Sequence, residues 1–173
     1  FPHYADEIAQ SECRTGIHPL VKYWLHNCVV TVNQEKMSKS LDNFFLVKDI
    51  LEHYSGEVLR FFLLASHYRS PLDFSDERLD EAKKGWERLN NANQTLLRLM
   101  SKTEIMDDDP SNELLKRIEK LEADFNEAMS DDFNTALAFA SLYGMAKEIN
   151  QIDASGVIVL KEIQHVSTVW IEM

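Results

Sequence analysis

Lys36-Met37-Ser38-Lys39-Ser40 stands between an apolar run, Val29-Val30-Thr31-Val32-Asn33, and a segment of helical pattern at residues 46–54. Its reading decides how the chain divides. The apolar run is rich in β-branched residues, so residues 21–32 are expected to contain one strand that ends near Asn33. The pentapeptide is then a loop that presents two ammonium groups. Two cations about 4 Å from phosphate oxygens gain roughly 4 kcal/mol each at an effective dielectric near 20. Such a loop can hold a polyphosphate, and the bland alternative is a solvated basic turn.

On the N-terminal side, residues 3–14 read as a helix. Pro2 suits a first-turn position, and Gly16 and Pro19 end the pattern. On the C-terminal side, residues 46–54 place Val47, Ile50 and Leu51 on one helical face. Residues 58–67 form a second short helix with an apolar, buried body, and Pro71 marks the exit from this region. Phe44-Phe45 and Phe61-Phe62 are core candidates.

The rest is helical in pattern. Leu79, Ala82, Trp86, Leu89, Ala92, Asn93, Leu96, Leu97 and Met100 form one stripe, and Leu114, Leu115, Ile118, Leu121, Phe125, Ala128 and Met129 the next. Asp107-Asp108-Asp109-Pro110 is a solvated linker, with Ser111 as N-cap of the helix after it. Asp131 or Asp132 is expected to cap a third helix carrying Ala136, Leu137, Phe139, Ala140, Tyr143 and Met145. A fourth is expected over residues 157–173. Four amphipathic helices with short connections imply an antiparallel bundle. The fold class is therefore mainly α with a small β element, divided into residues 1–74 and 75–173.

Five glycines and four prolines in 173 residues favour helix over a turn-rich β fold. The net charge is −11, and it is uneven: residues 1–100 hold 12 Lys/Arg against 14 Asp/Glu, residues 101–132 hold 4 against 11. An acidic total argues against general nucleic-acid binding, because phosphate contact needs local cations. The more balanced N-terminal portion remains open to RNA. Two cysteines, Cys13 and Cys28, are too few for a disulfide framework and imply a reducing, cytoplasmic setting. No run approaches the roughly 20 apolar residues that span a bilayer.

His3 and Glu7 stand at i and i+4 on one helical face, a spacing that suits two metal ligands or an ordinary surface hydrogen bond. Trp24 and His26 read equally as pocket wall or as core. His67, Tyr68 and Arg69 combine aromatic and cationic groups, useful for RNA contact or for packing two lobes together.

The segments Phe1-Pro2-His3-Tyr4-Ala5-Asp6-Glu7, Lys22-Tyr23-Trp24-Leu25-His26-Asn27, Lys36-Met37-Ser38-Lys39-Ser40, Ser66-His67-Tyr68-Arg69-Ser70-Pro71-Leu72 and Met129-Ser130-Asp131-Asp132-Phe133-Asn134-Thr135 occur in this order. Together they resemble the cysteinyl-tRNA synthetases, which are class I aminoacyl-tRNA synthetases. The likeness runs to about residue 150. It implies that residues 1–74 are the end of a Rossmann-type catalytic domain with the signature lysine loop and a stem-contact lobe. It likewise implies that residues 75–173 are a helical bundle on the anticodon side of the tRNA. By resemblance, Lys36 and Lys39 are catalytic, and Lys36, Met37, Ser38, Lys39 and Ser40 bind ATP, which enters with Mg. His3 and Glu7 would hold zinc, with two cysteines expected upstream of Phe1. Cys13 is a poor substitute, lying six residues beyond Glu7, about 9 Å along a helix.

Zinc fits the task, because a pocket that judged only shape would separate cysteine from serine poorly, whereas zinc binds a thiolate directly. The implied partners are tRNA(Cys), ATP and L-cysteine, with Tyr68 and Arg69 as tRNA contacts. The implied reaction is cysteine activation to the adenylate and transfer to tRNA. The family's His-Ile-Gly-His-type motif is missing from the sequence, so this chain alone is expected to be inactive and to bind zinc weakly or not at all. A non-catalytic tRNA-binding paralogue and a helical interaction module are the alternatives. Three positions depart from the family pattern: Tyr4-Ala5 where His-Glu is common, Cys28 where Gly is common, and Asp42 where Gly follows the signature loop.

Overall fold

The computed structural model describes residues 2–37, 46–101, 111–156 and 159–173. These form a mainly helical protein with one small sheet. The elements are α1 (Pro2–Thr15), β1 (Val30–Val32), β2 (Glu35–Lys36), α2 (Val47–Ile50), α3 (Gly56–Leu64), β3 (Leu72–Phe74), α4 (Asp76–Met100), α5 (Asn112–Ser130), α6 (Thr135–Ser155) and α7 (Leu160–Glu172).

The expected single strand is one of three. β1 lies in the middle, antiparallel to β2 and parallel to β3. β2 begins at Glu35, so Lys36 is a strand residue and not the start of a loop. The sequence pattern does not announce β3, because three residues are too few to display alternation. The helix expected over residues 46–54 is confined to Val47–Ile50, and residues 51–54 are turn. Asp49 accepts a hydrogen bond from the Leu46 N–H at 3.3 Å, and Ile50 is the buried residue of this short element.

α3 and α4 start on serine caps. Ser55 accepts from the Val58 N–H, and Ser75 from the Arg78 N–H. Each satisfies a backbone donor that the first turn leaves unpaired. Val58, Phe61 and Phe62 of α3 are buried, as their pattern predicts. In α4 the buried stripe is Leu79, Ala82, Leu89, Ala92, Leu96 and Leu99. Leu97 and Met100, expected inside, are exposed, and Leu99 takes their place. Spacing of three after Leu96 keeps the stripe facing inward, whereas Leu97 rotates it outward.

Ser111 caps α5 as expected, and its own N–H donates to the buried Glu162 Oε1 of α7 at 2.8 Å. The cap of α6 is Asn134, not Asp131 or Asp132; its side chain accepts from the Leu137 N–H at 3.1 Å. The predicted stripe of α6 shifts accordingly. Ala138, Ser141, Met145, Ile149 and Ile152 are buried, whereas Ala136, Leu137 and Ala140 are exposed. Arg117 of α5 donates from Nε and Nη2 to the buried carboxylate of Glu148 in α6. α6 packs on α4 and α5, and α7 packs on α4, α5 and α6. One core runs from Ile50, Phe61, Phe62 and Phe74 through Leu79 and Leu99 to Met145, Ile149 and Val166.

Candidate functional site

The lysine hairpin is built on β1 and β2. Thr31 faces Lys36 across the ladder, and Val32 faces Glu35. Asn33 and Gln34 connect the strands with φ of 51° and 67°. Two left-handed residues in a two-residue hairpin loop define the type I′ turn, whose second position normally carries Gly. Here it carries Gln, and a left-handed residue with a Cβ costs about 1–2 kcal/mol. The turn is held from β3. Asp73 Oδ1 accepts from the Gln34 N–H at 2.7 Å and from Thr31 Oγ1 at 2.7 Å. The Gln34 N–H, and after it the Thr31 hydroxyl, hold the Asp73 carboxyl below its ordinary range; Arg78 adds to this, 3.7 Å from Oδ2. Lys36 and Met37 are thus placed at the end of a clamped hairpin. Ser38, Lys39 and Ser40, with Asp42, Phe44 and Phe45, lie outside the described residues, as does the acidic linker at 107–109.

α1 exposes His3 and Glu7 on one face. Among the described residues no three His, Cys, Asp or Glu side chains are grouped to hold a metal ion. The neighbouring Tyr4 instead joins the two pocket-wall candidates. Its ring lies 5.6 Å from Trp24 and 4.6 Å from His26, edge-on to both, and Trp24 and His26 are parallel at 6.3 Å. The far end of α1 is tied to the chain that follows it. Glu12 accepts from the Leu20 N–H at 3.2 Å and lies 2.6 Å from His18 Nδ1. The Leu20 N–H, then His18, lowers the Glu12 pKa.

Tyr68 and Arg69 meet the turn between α5 and α6. Tyr68 Oη–H donates to Asp132 Oδ1 at 2.6 Å, and Arg69 Nε donates to Asp132 Oδ2 at 2.5 Å. The Arg69 guanidinium lies 5.2 Å from the Tyr68 ring centroid, and the His67 ring stacks on that of Tyr68 at 4.9 Å. Asp132, one of the two expected helix caps, has φ of 54°, a left-handed conformation that Asp tolerates. Arg69, then Tyr68, holds its carboxyl below the ordinary range, and Asp132 in turn raises the Tyr68 hydroxyl. The Arg69 side chain remains 61% exposed despite the pair. Tyr68 also accepts the Cys28 N–H on its carbonyl at 2.9 Å, so the turn at 66–70 joins the N-terminal segment to the α5–α6 hairpin.

A cavity of about 510 Å³ opens elsewhere, between α3, α4, α6 and α7, lined by Arg60, Trp86, Asn93, Phe139 and Trp170 among others. It contains none of the site residues singled out from sequence, so volume alone does not locate the chemistry. Asp73 and Asp132 are the site side chains that sequence reading misses. Their partners lie 42 and 64 residues away, and no local spacing announces such pairs.

Residues 1–84 match the family described as the tRNA synthetases class I (C) catalytic domain, and residues 124–166 match the DALR domain. The hairpin therefore falls in a segment of class I aminoacyl-tRNA synthetase type, and α6 with the end of α5 in one of DALR type. A cysteine–tRNA ligase of Carboxydothermus hydrogenoformans is 52% identical over 156 residues, covering 90% of this chain and 32% of that protein. One of a Geobacter species is 51% identical over 152 residues, and one of Desulfitobacterium hafniense is 49% identical over 156; each alignment covers 87% of this chain and 32% of the relative. The chain belongs to the cysteinyl-tRNA synthetase family. It spans about a third of the length of the curated relatives it matches.

Proposed function

We propose that this chain forms part of a cysteine–tRNA ligase, contributing one side of the active site and the helical domain beside it. The observation that carries the reading is identity of about half to cysteine–tRNA ligases across nearly the whole chain. Residues 1–74 are read as the end of a Rossmann-type catalytic domain with its stem-contact lobe. Residues 75–173 are read as an antiparallel bundle on the anticodon side of the tRNA. The pairing of Arg117 with Glu148, at near-equal distances before and after the α5–α6 turn, supports that arrangement.

In the proposed reaction the cysteine carboxylate attacks the α-phosphorus of ATP, and pyrophosphate leaves. A hydroxyl of the terminal ribose of tRNA(Cys) then attacks the adenylate's carbonyl carbon, the acyl–phosphate bond breaks and AMP leaves. Lys36 and Lys39, with Met37, Ser38 and Ser40, bind the phosphates of Mg-bound ATP and offset the charge that grows on the leaving pyrophosphate. The placement of Lys36 at the end of a held hairpin supports this role. His3 and Glu7 offer a nitrogen and an oxygen donor on the exposed face of α1, a set that fits zinc once further ligands from outside this chain complete it. Bound there, zinc would supply a soft Lewis acid for the substrate thiolate. Tyr68 and Arg69 are read as tRNA contacts; Arg69, although paired with Asp132, keeps 61% of its side chain exposed and so can still offer its charge to the RNA backbone. Cys13 and Cys28 are both free and exposed, which suits a reducing cytoplasm as the place of the reaction. No helix among the described residues is long and apolar enough to cross a membrane.

The test is cysteine-dependent exchange of pyrophosphate into ATP by the complete protein. We expect exchange with cysteine and none with serine. Lys39→Ala should slow adenylate formation roughly 100- to 1,000-fold, the scale of one lost oriented donor. Pre-steady-state rates equal to wild type would remove Lys39 from the reaction.

A further inference from the structure

We propose that Asp73 is the positioning residue for Lys36, holding the signature hairpin in register from the neighbouring parallel strand; this rests on the ligase reading above. The hairpin cannot hold itself. Its turn places Gln34, a residue with a Cβ, at a φ of 67°, where Gly is the usual occupant. Two strand residues in β2 supply little pairing to offset that strain. The missing support comes from outside the hairpin. Asp73 Oδ1 takes the Gln34 N–H and the Thr31 hydroxyl, both at 2.7 Å. Thr31 is the residue directly opposite Lys36. Asn33 adds a backbone bond to the Phe74 carbonyl at 3.3 Å.

One carboxylate therefore fixes both the turn and the cross-strand partner of the lysine. Its second oxygen faces Arg78 at 3.7 Å, in the first turn of α4, so the hairpin takes its orientation from the helical body. Register matters because a slip of one residue turns every side chain of a strand to the opposite face. A slipped β2 would direct Lys36 away from the phosphates that it is proposed to meet.

The experiment measures cysteine-dependent pyrophosphate exchange in the complete enzyme. Asp73→Ala removes both acceptor bonds and should lower kcat about ten-fold, the scale of two hydrogen bonds worth about three-fold each, with KM for cysteine unchanged. Asp73→Asn keeps the Oδ1 acceptor and should stay within about three-fold of wild type. Gln34→Gly relieves the turn and should be near wild type alone. Combined with Asp73→Ala it should recover most of the lost rate at a temperature where circular dichroism shows every variant fully folded, which excludes a general loss of stability as the cause. Should Asp73→Ala fail to fold, Thr31→Val replaces it, removing one of the two donors, with an expected fall of about three-fold. Wild-type rates in Asp73→Ala, or a double variant no faster than Asp73→Ala, would overturn the positioning role while leaving the ligase reading intact. Absence of cysteine-dependent exchange in the wild-type complete enzyme would overturn both.

Discussion

The segment before α2 and the helical body after it are held together by different forces. Among the described residues, none before Ile50 is buried, whereas α3 to α7 share a continuous apolar core. Tyr23 is 82% exposed, and Ile17, Leu25 and Val29 are more than half exposed. The N-terminal segment takes its position from directional contacts: the β1–β3 ladder, the Asp73 clamp, the Tyr4–Trp24–His26 ring cluster, Glu12 on Leu20 and Cys28 on Tyr68. The described residues proposed to meet ATP and zinc all stand in this thinly packed region. A packed core gives stability without regard to direction. Hydrogen bonds give direction with modest net stability. The molecule separates these two tasks along its chain.

The sharpest way to break that contrast is to remove one side chain from each region. Ile149 is fully buried in α6, and Ile149→Ala should cost about 2–5 kcal/mol, the sum of lost transfer energy and the cavity left behind. Tyr23→Ala should change stability by no more than about 0.5 kcal/mol, as for exposed sites away from special contacts. Urea unfolding followed by far-UV circular dichroism measures both. Comparable losses would mean that the N-terminal segment is part of the cooperative core.

A smaller effect is expected from overfilling the helical body than from emptying it. Gly85 lies inside α4, where Ala would ordinarily gain up to about 1 kcal/mol in helix propensity. A Cβ there would stand 2.6 Å from Tyr143 Oη and 2.8 Å from Phe61 Cε1. Phe61 is a buried ring packed 4.6 Å from that of Phe139 and must shift for the Cβ to fit, so Gly85→Ala should be destabilising by about 1–3 kcal/mol. Gly144 provides the control. Its Cβ would meet Leu121 Cδ2 at 2.5 Å, the tip of a flexible and only partly buried side chain that can rotate away. Gly144→Ala should therefore cost less than Gly85→Ala in the same unfolding assay. The reverse order would show that the α3–α4–α6 junction is looser than its geometry implies.

The sequence makes the helical body legible and much of the site illegible, for one physical reason. Period, caps and breakers are local, so α1, α4, the buried face of α3 and the Ser111 cap can be read directly, whereas α3 runs over Gly56–Leu64 and not over 58–67. Errors appear where a local signal has competitors. Asp131, Asp132 and Asn134 are all credible caps, and the one whose side chain faces the first free N–H is decided by the turn before it. Leu97 and Leu99 are both apolar, and only the phase carried forward from Ala92 and Leu96 chooses between them. Lys36 can be singled out as a candidate because it lies in a contiguous motif. Asp73 cannot, because its role depends on a parallel strand of three residues that no periodicity reveals. The same holds for Asp132, whose partners come from a distant turn.

The least forceful contact at the seam gives the finest test of the contrast. Asp132 carries two donors from the turn at 66–70, and Arg69 is the first cause of its lowered pKa, ahead of Tyr68. A carboxylate with a depressed folded value stabilises the fold at every pH above its unfolded value, about 3.9 for Asp. That contribution falls away only as the pH drops through the lower folded value. The Asp132 carboxyl carbon, followed by NMR during acid titration, should therefore show a midpoint below the ordinary range. Arg69→Ala removes the largest of the causes, so the midpoint should move up toward the ordinary value while the helical core keeps its unfolding transition at neutral pH. An unmoved midpoint would mean that Tyr68 and His67 set the charge of Asp132 without Arg69. A large loss of core stability would mean that the seam belongs to the packed body, and the division between packing and direction would have to be redrawn at residue 66.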